Sequence, residues 1–196
     1  MMEFYEVNAE AYIKQTKNAD MSAAYDHFCK YLKKEDDILD VGCGSGRDLK
    51  YFTEQGFQAE GLEPAKAIYH ILIKEQKAVV YPVTIQEFMP KRKYHAIWAC
   101  ASFLHLPENE IIKFFDRIEK FLLPDGIIYV SGKKGIQTGY AKDGRFFLEF
   151  TEALLEKILK SNPNLELLEK WDSDDGNGRQ DIKWMNFILK YKSKNV

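Results

Sequence analysis

The fold is decided by the stretch Ile38-Leu39-Asp40-Val41-Gly42-Cys43-Gly44-Ser45-Gly46-Arg47. Its first four residues are mostly apolar, which is typical of a buried parallel strand. The three glycines that follow allow the backbone to turn sharply and to approach a ligand closely. Helical patterning then covers residues 46–55 and stops at Gly56, a residue that favours a left-handed helix end. The stretch therefore predicts a strand, a glycine-rich turn and a helix in succession.

The same alternation continues along the chain. Helices are predicted at 3–17, around Tyr25, Phe28 and Leu32 with Ser22 as N-cap, and at 65–75 and 108–122. Strands are predicted at 38–41, 58–62, 79–83, 96–101, 127–130, 165–171 and 182–191, with a turn at 124–126 and a polar loop between the last two. Strands that alternate with helices form a parallel sheet covered on both faces. We therefore predict an α/β fold with a doubly wound, mostly parallel sheet of seven strands, N-terminal helices and a C-terminal antiparallel β-hairpin. Pro82 indicates that the third strand lies near an edge or ends there.

Composition places the 196 residues in one ordinary globular domain spanning 1–196, because 45% are hydrophobic, 30% are charged and no repeat or linker divides them. The net charge of −2 gives no reason to expect nucleic-acid binding. No apolar run approaches the roughly 18 residues that a membrane span needs, and the first residues lack a signal-peptide pattern. The cysteines Cys29, Cys43 and Cys100 are widely spaced, so we expect reduced thiols, no metal site and a cytoplasmic protein.

An acid follows the glycine turn at a spacing that indicates a nucleoside site. Glu63 ends the second predicted strand 19 residues after Gly44, close to the ~20 expected for an acid that accepts ribose hydroxyls. The dinucleotide pattern G-x-G-x-x-G needs a glycine where Arg47 stands, so a pyrophosphate fits less well. An adenosine with an amino-acid tail fits better, with Asp40 taking its ammonium directly or through water.

Three motifs in this sequence resemble those of class I S-adenosylmethionine-dependent methyltransferases. The segment 38–46 resembles their first motif, and Gly61-Leu62-Glu63-Pro64 resembles the second, in which an acid holds the ribose. Leu122-Leu123-Pro124-Asp125-Gly126-Ile127 resembles their L-x-P-G-G turn, with Asp125 replacing the first glycine. The resemblance implies a Rossmann-like methyltransferase fold, which ends in a hairpin of the kind predicted above. More loosely, segments 8–12, 20–22, 98–105 and 145–151 are similar to a bacterial subgroup labelled tellurite-resistance-like, a label that establishes no substrate.

The resemblance also implies which residues hold the cofactor, S-adenosylmethionine, and its product, S-adenosylhomocysteine. The methionine part would lie on the glycine loop and the ribose on Glu63, with the adenine after the third strand and the sulfonium near the end of the fourth. The implied cofactor-binding residues are Asp40, Gly42, Cys43, Gly44, Glu63, Pro64, Ile85, Gln86, Ala99 and Cys100. Residues 1–34 would form a helical lid, 35–131 the cofactor-binding core, and 132–196 a substrate-side insertion with the C-terminal hairpin.

The substrate side offers fewer signals. His105 follows the fourth strand and is a candidate base, or else a cap for the helix after Pro107. Tyr12 would contact substrate from the lid, or serve as core packing. The insertion 133–150 carries Tyr140 and Arg145 among several basic residues, which suits an anionic or oxygen-rich small substrate, or a solvated face.

These features predict an enzyme that transfers a methyl group to a small-molecule oxygen, nitrogen or sulfur acceptor, a metalloid included, by in-line displacement. Such a reaction depends mainly on positioning, so an obligatory catalytic residue is not expected. The fourth strand lacks the Asn/Asp-Pro-Pro-aromatic motif of relatives that methylate nucleobase or glutamine amino groups, which weakens those substrates. Two alternatives stay open: a non-catalytic S-adenosylmethionine-binding module and an NAD-dependent oxidoreductase. The oligomeric state is not predicted.

Overall fold

A computed structural model describes residues 2–76 and 78–192. The helices are α1 (Met2–Val7), α2 (Ala9–Thr16), α3 (Ser22–Cys29), α4 (Arg47–Glu54), α5 (Lys66–Glu75), α6 (Glu108–Phe115) and α7 (Glu152–Ser161), with 3₁₀ turns at Phe103–His105 and Ile118–Lys120. The strands are β1 (Asp37–Val41), β2 (Gln58–Leu62), β3 (Val79–Tyr81), β4 (Tyr94–Ala99), β5 (Leu122–Lys134), β6 (Gly139–Tyr140), β7 (Phe146–Phe147), β8 (Leu165–Asp174) and β9 (Lys183–Tyr191). None of the helices in this part of the chain has both the length and the apolar character needed to cross a membrane.

Seven strands form one sheet in the order β3-β2-β1-β4-β5-β9-β8. Strands β1 to β5 pair in parallel, whereas β9 is antiparallel to both β5 and β8. The predicted doubly wound sheet with a terminal antiparallel hairpin is confirmed, and β3 lies at an edge as Pro82 indicated. The strand order reverses between β1 and β4, and open sheets bind ligands in the crevice at such a point.

Both faces of the sheet are buried. Successive side chains of a strand point to opposite sides, so two buried neighbours show that each side is covered. Ile38 and Leu39 are both fully buried although they are neighbours in β1. Ile38 packs in an aromatic layer with Phe28 and Trp98, and Leu39 belongs to the larger apolar layer on the other face. Packing of the two layers holds the strands in place, and so determines where the carboxyl ends of the parallel strands lie.

The N-terminal helices differ from the prediction. The predicted helix 3–17 is two helices broken at Asn8, whose side-chain amide donates a hydrogen bond to the carbonyl oxygen of Phe4 (2.8 Å). Such side-chain bonds to backbone compete with helix continuation. Ser22 is the first residue of α3 and not its cap, and its N–H is bound by the Asp20 carboxylate (2.9 Å).

The second half of the chain also departs from the prediction. The helix expected over 108–122 ends at Phe115, and β5 begins at Leu122. The predicted turn at 124–126 lies inside β5, where the register between β5 and β4 shifts. Helix α7 was not predicted, although Thr151 accepts the N–H of Leu154 as its N-cap (3.2 Å). The expected insertion contains the end of β5 and the small β6–β7 hairpin.

Candidate active site

The loop between β1 and α4 is shaped by glycines that no other residue replaces without strain. Gly42 and Gly44 have φ angles of +72° and +52°. A Cβ atom on Gly42 would lie 2.8 Å from the Cβ of Ser102, and one on Gly44 would lie 3.2 Å from the hydroxyl of Tyr12. The loop is therefore packed tightly between the segment after β4 and the N-terminal helices.

Glu63 joins this loop to the next crossover. Its side chain is 6% exposed, and its two oxygens accept the N–H groups of Gly44 (3.0 Å) and Ala65 (2.7 Å). Burial raises the pKa of the Glu63 carboxyl to about 7, while the two backbone hydrogen bonds work in the opposite direction. A buried carboxylate thus stands at the end of β2, at the position that the sequence assigned to the ribose contact.

A small cavity of about 180 Å³ opens beside Glu63. It is mostly apolar, with one carboxylate and a few polar side chains such as those of Thr84, Gln86 and Ser102, which suits a nucleoside. The structure brings seven of the predicted residues together in its wall: Tyr12, Gly42, Glu63, Pro64, Ile85, Gln86 and His105.

A larger cavity of about 680 Å³ adjoins it, and Tyr5, Tyr12, Gly42, Ala101 and His105 line both. The predicted residues in the wall of the large cavity are Tyr12, Gly42, Cys43, Gly44, Cys100, His105 and Arg145. The other predicted residues are placed differently. Ala99 is fully buried in β4, Asp40 is buried beneath the loop, and Tyr140 is 80% exposed; none of these side chains lines either cavity.

Asp40 is a buried acid with an unused acceptor. It is 1% exposed, and in residues 2–76 and 78–192 its Oδ2 has no hydrogen-bond partner. Burial, and secondarily the neighbouring Asp48, raise the pKa of Asp40 well above its usual range. Because buried polar atoms are nearly always hydrogen-bonded, this oxygen fits a donor that arrives with a ligand, such as an ammonium reached through water.

A polar network below the large cavity was not predicted. The Arg47 guanidinium forms two hydrogen bonds with Asp48 (Nε to Oδ1 2.7 Å, an Nη to Oδ2 2.8 Å). Asp48 also accepts the Tyr25 hydroxyl (2.5 Å) and the Trp98 indole N–H (2.9 Å). The glycine pattern alone shows Arg47 only as a missing glycine; the signal for the network is the adjacent Arg47-Asp48 pair in the first turn after the loop.

His105 is held by two hydrogen bonds that determine its proton position. Its Nδ1 lies 2.8 Å from the carbonyl oxygen of Phe146, and its Nε2 lies 2.8 Å from the hydroxyl of Tyr5. A carbonyl only accepts, so Nδ1 carries the proton and Nε2 accepts the Tyr5 O–H. Burial lowers the His105 pKa to about 4. His105 is therefore neutral, does not cap the following helix, and orients Tyr5, a cavity residue that the sequence analysis missed.

The N-terminal helices are fastened over both cavities. The Glu6 carboxylate accepts the N–H groups of Lys66 (2.7 Å) and Ala67 (2.9 Å) at the start of α5. Further along, the N–H of Asp20 donates to the carbonyl of Gly176 (2.9 Å). The segment that the sequence assigned to a lid thus lies on the site in this structure.

A family model described as a methyltransferase domain matches residues 12–175. The chain belongs to this family. Membership confirms the predicted methyltransferase and, with it, S-adenosylmethionine as the cofactor and S-adenosylhomocysteine as the product.

Individual relatives of this methyltransferase are distant. A ubiquinone biosynthesis O-methyltransferase from Rhodopseudomonas palustris (strain BisB5) is 30% identical over 100 residues, which are 48% of this chain and 38% of that protein. The 1,6-didemethyltoxoflavin-N1-methyltransferase of Burkholderia thailandensis, solved with its substrate and S-adenosylhomocysteine, superposes with a TM-score of 0.79 at 18% identity, covering 98% of this chain and 87% of the other. The [4+2]-cyclase SpnF superposes with a TM-score of 0.75 at 15% identity, covering 98% and 95%. The two structures show a shared fold.

Proposed function

We propose that this methyltransferase transfers the methyl group of S-adenosylmethionine to an oxygen, nitrogen or sulfur atom of a small molecule. The observation that carries the proposal is the pair of adjoining cavities that share Gly42 of the glycine loop, with the Glu63 carboxylate in the wall of the smaller one. The small cavity has the apolar lining and the carboxylate that suit the adenosine part, and the large one has room for an amino-acid tail and an acceptor.

The residues present fit that cofactor. Glu63 would hold the ribose, Ile85 and Gln86 the adenine, and the backbone of Gly42 and Gly44 the methionine part. Pro64 would pack beside the base, Cys43 would line the tail, and Cys100 would lie near the sulfonium with Ala99 supporting it from β4. The unpartnered Oδ2 of Asp40 would serve the ammonium through a water molecule.

When bound, the cofactor supplies a methyl group activated by its sulfonium. The chain's own task is to hold an acceptor in line with that group and to exclude water, and positioning alone can contribute roughly 7–11 kcal/mol. We assign residues 1–34 to a lid for this purpose, because Tyr5 and Tyr12 line both cavities and Glu6 fastens the segment to α5. A closed lid also strengthens the electrostatic interactions inside the site.

The substrate-side residues receive different roles in this proposal. Arg145 and Tyr12 line the large cavity and would contact the acceptor. His105 would act as a positioning residue for Tyr5, since a neutral imidazole with a lowered pKa is a weak base. Tyr140 would reach a substrate only if the β6–β7 hairpin moved. A metalloid acceptor, the tellurite-resistance-like subgroup and a cytoplasmic location stay predictions from the sequence.

The test is calorimetric titration with S-adenosylhomocysteine. We expect Glu63→Ala and Gly44→Val to weaken binding at least tenfold, because the first removes a carboxylate bonded to the loop and the second places a branched side chain against Tyr12. Glu60→Gln is the matched control: Glu60 lies on the same strand, and its carboxylate binds Arg92 and Tyr94 outside the cavities. Equal affinities in all four proteins would overturn the proposed site.

A second candidate deserves the same experiment, since a [4+2]-cyclase shares the fold. A cofactor-binding module that does not methylate would bind S-adenosylhomocysteine but would form none from S-adenosylmethionine with any acceptor. Release of S-adenosylhomocysteine on addition of small acceptors decides for methyl transfer. Tight NADH binding without S-adenosylhomocysteine binding would instead support the oxidoreductase alternative.

A further inference from the structure

Three cationic side chains from separate elements meet at the acceptor end of the large cavity. Lys133 lies near the end of β5, Arg145 directly precedes β7, and Arg179 lies in the loop between β8 and β9. All three line the cavity. The charges of Arg145 and Arg179 repel that of Lys133, and the charge of Arg145 repels that of Arg179. Three cationic groups therefore lie near one another at this end of the cavity.

The two arginines are already neutralised by acids. Arg145 binds Asp143 (2.6 Å) and Arg179 binds Asp175 (2.7 Å), each through two guanidinium nitrogens. Asp175 also accepts the indole N–H of Trp184 (3.1 Å), so its oxygens are engaged. Asp143 and Asp175 therefore already form ion pairs with these two arginines.

Lys133 is the cation that lacks such a partner: no carboxylate in residues 2–76 and 78–192 lies within ion-pair distance of its ammonium. The side chain is half-buried, and its Nζ lies 4.3 Å from the centre of the Phe147 ring. Burial, followed by repulsion from Arg179 and Arg145, lowers the Lys133 pKa. A partly desolvated charge in a cavity wall gains more from an incoming anion than an exposed one does.

The neighbouring walls are aromatic. The Arg145 guanidinium lies 4.0 Å from the ring centre of Phe4 and 5.1 Å from that of Phe147, and Tyr5 is oriented beside them by His105. An aromatic ring can stack on such side chains, and a negatively charged group on that ring can pair with the cations beside them. Two of the other lining acids are paired with cations, since Asp48 binds Arg47 and Asp174 binds Lys183. The third, Asp20, accepts the backbone N–H of Ser22 (2.9 Å).

We propose that Lys133 binds the negatively charged group of the methyl acceptor, and that this acceptor is an aromatic acid. The proposal rests on the proposed function, whose large cavity it fills. It assigns the group that anchors the acceptor and leaves the attacking atom open. A cationic acceptor is disfavoured, because Lys133 and Arg145 already repel positive charge at His105.

The test compares aromatic acids with their neutral amides, titrated by ligand-detected NMR in the presence of S-adenosylhomocysteine. The wild-type chain should bind the acids about tenfold more tightly than the amides, as expected for a hydrogen bond to a charged group. Lys133→Met keeps the length of the side chain and should remove that preference, whereas Lys133→Arg should keep it. Lys134→Met is the matched control, because Lys134 is exposed and pairs with Asp172.

Calorimetry with S-adenosylhomocysteine on the same samples separates two kinds of failure. Unchanged affinity in Lys133→Met shows that the variant is folded and that its cofactor site is intact. If the wild type binds S-adenosylhomocysteine but binds no acid more tightly than its amide, this inference is wrong while the proposed function stands. The inference is also wrong if Lys134→Met loses the preference as fully as Lys133→Met. If the wild type does not bind S-adenosylhomocysteine, the proposed function fails and the inference fails with it.

Discussion

Glu63→Gln should remove a pH dependence of stability that the wild type carries. Burial raises the Glu63 pKa from 4.5 to about 7 in the folded chain. Between these values the folded state binds a proton that the unfolded state releases, so stability falls as the pH rises through this window. Integrated from pH 5 to pH 8, the shift corresponds to about 2.5 kcal/mol. Ionised Glu63 therefore destabilises the cofactor-free fold. This is expected of a residue to which the proposed function assigns the ribose of the cofactor.

Urea unfolding of both proteins at pH 5 and pH 8, at one ionic strength, measures this effect. Other titrating groups are shared, so the difference between the two proteins isolates Glu63. The wild type should gain about 2.5 kcal/mol relative to the variant on going from pH 8 to pH 5. S-adenosylhomocysteine should also bind the wild type less tightly at pH 5, because a protonated carboxyl accepts fewer hydrogen bonds. The reasoning is refuted if the two proteins show the same pH dependence of stability.

Three further predictions test the loop, the histidine and the buried ion pair. Gly44→Ala and the control Gly135→Ala should each lower the free energy of unfolding, measured in urea, by about 1–2 kcal/mol. Both glycines have positive φ, a conformation that is strained for a residue with a Cβ atom. Only Gly44→Ala should also weaken S-adenosylhomocysteine binding, and a loss of binding in both would contradict the packing argument. Nitrogen-15 NMR should find His105 neutral at pH 6 with its proton on Nδ1 and a midpoint near 4, whereas a midpoint close to 6.5 would show that burial has little effect. Arg47→Met should lower stability by about 3–5 kcal/mol, because it leaves the Asp48 charge buried without its partner, and a loss below about 1 kcal/mol would count against this.

The cofactor side was largely predictable because its signals are local. A strand that ends in glycines with positive φ sets the loop, and an acid at the end of the next parallel strand must come to the same edge of the sheet. Glu63 and the loop do lie together, since the N–H of Gly44 donates to the Glu63 carboxylate (3.0 Å). Predictions of element length were weaker: the helix over 108–122 was too long, and α7 was missed although Thr151 begins it with a standard cap.

The acceptor side could not be predicted in the same way. Tyr5 and His105 are 100 residues apart and come from different kinds of element, and their contact depends on how α1 lies across the sheet edge. The difference between Lys133 and Lys134 likewise depends on which side of β5 each residue faces and on which acids other loops bring near.

The sequence by itself determined the order of strands and helices, the glycine loop and the acid that follows it, because backbone preference and hydrophobic period act over a few residues. Only the tertiary structure decided which charges are neutralised, which rings flank them and which polar atoms lose contact with water. Those properties depend on distances between segments remote in sequence, and such distances are set by packing of the whole core.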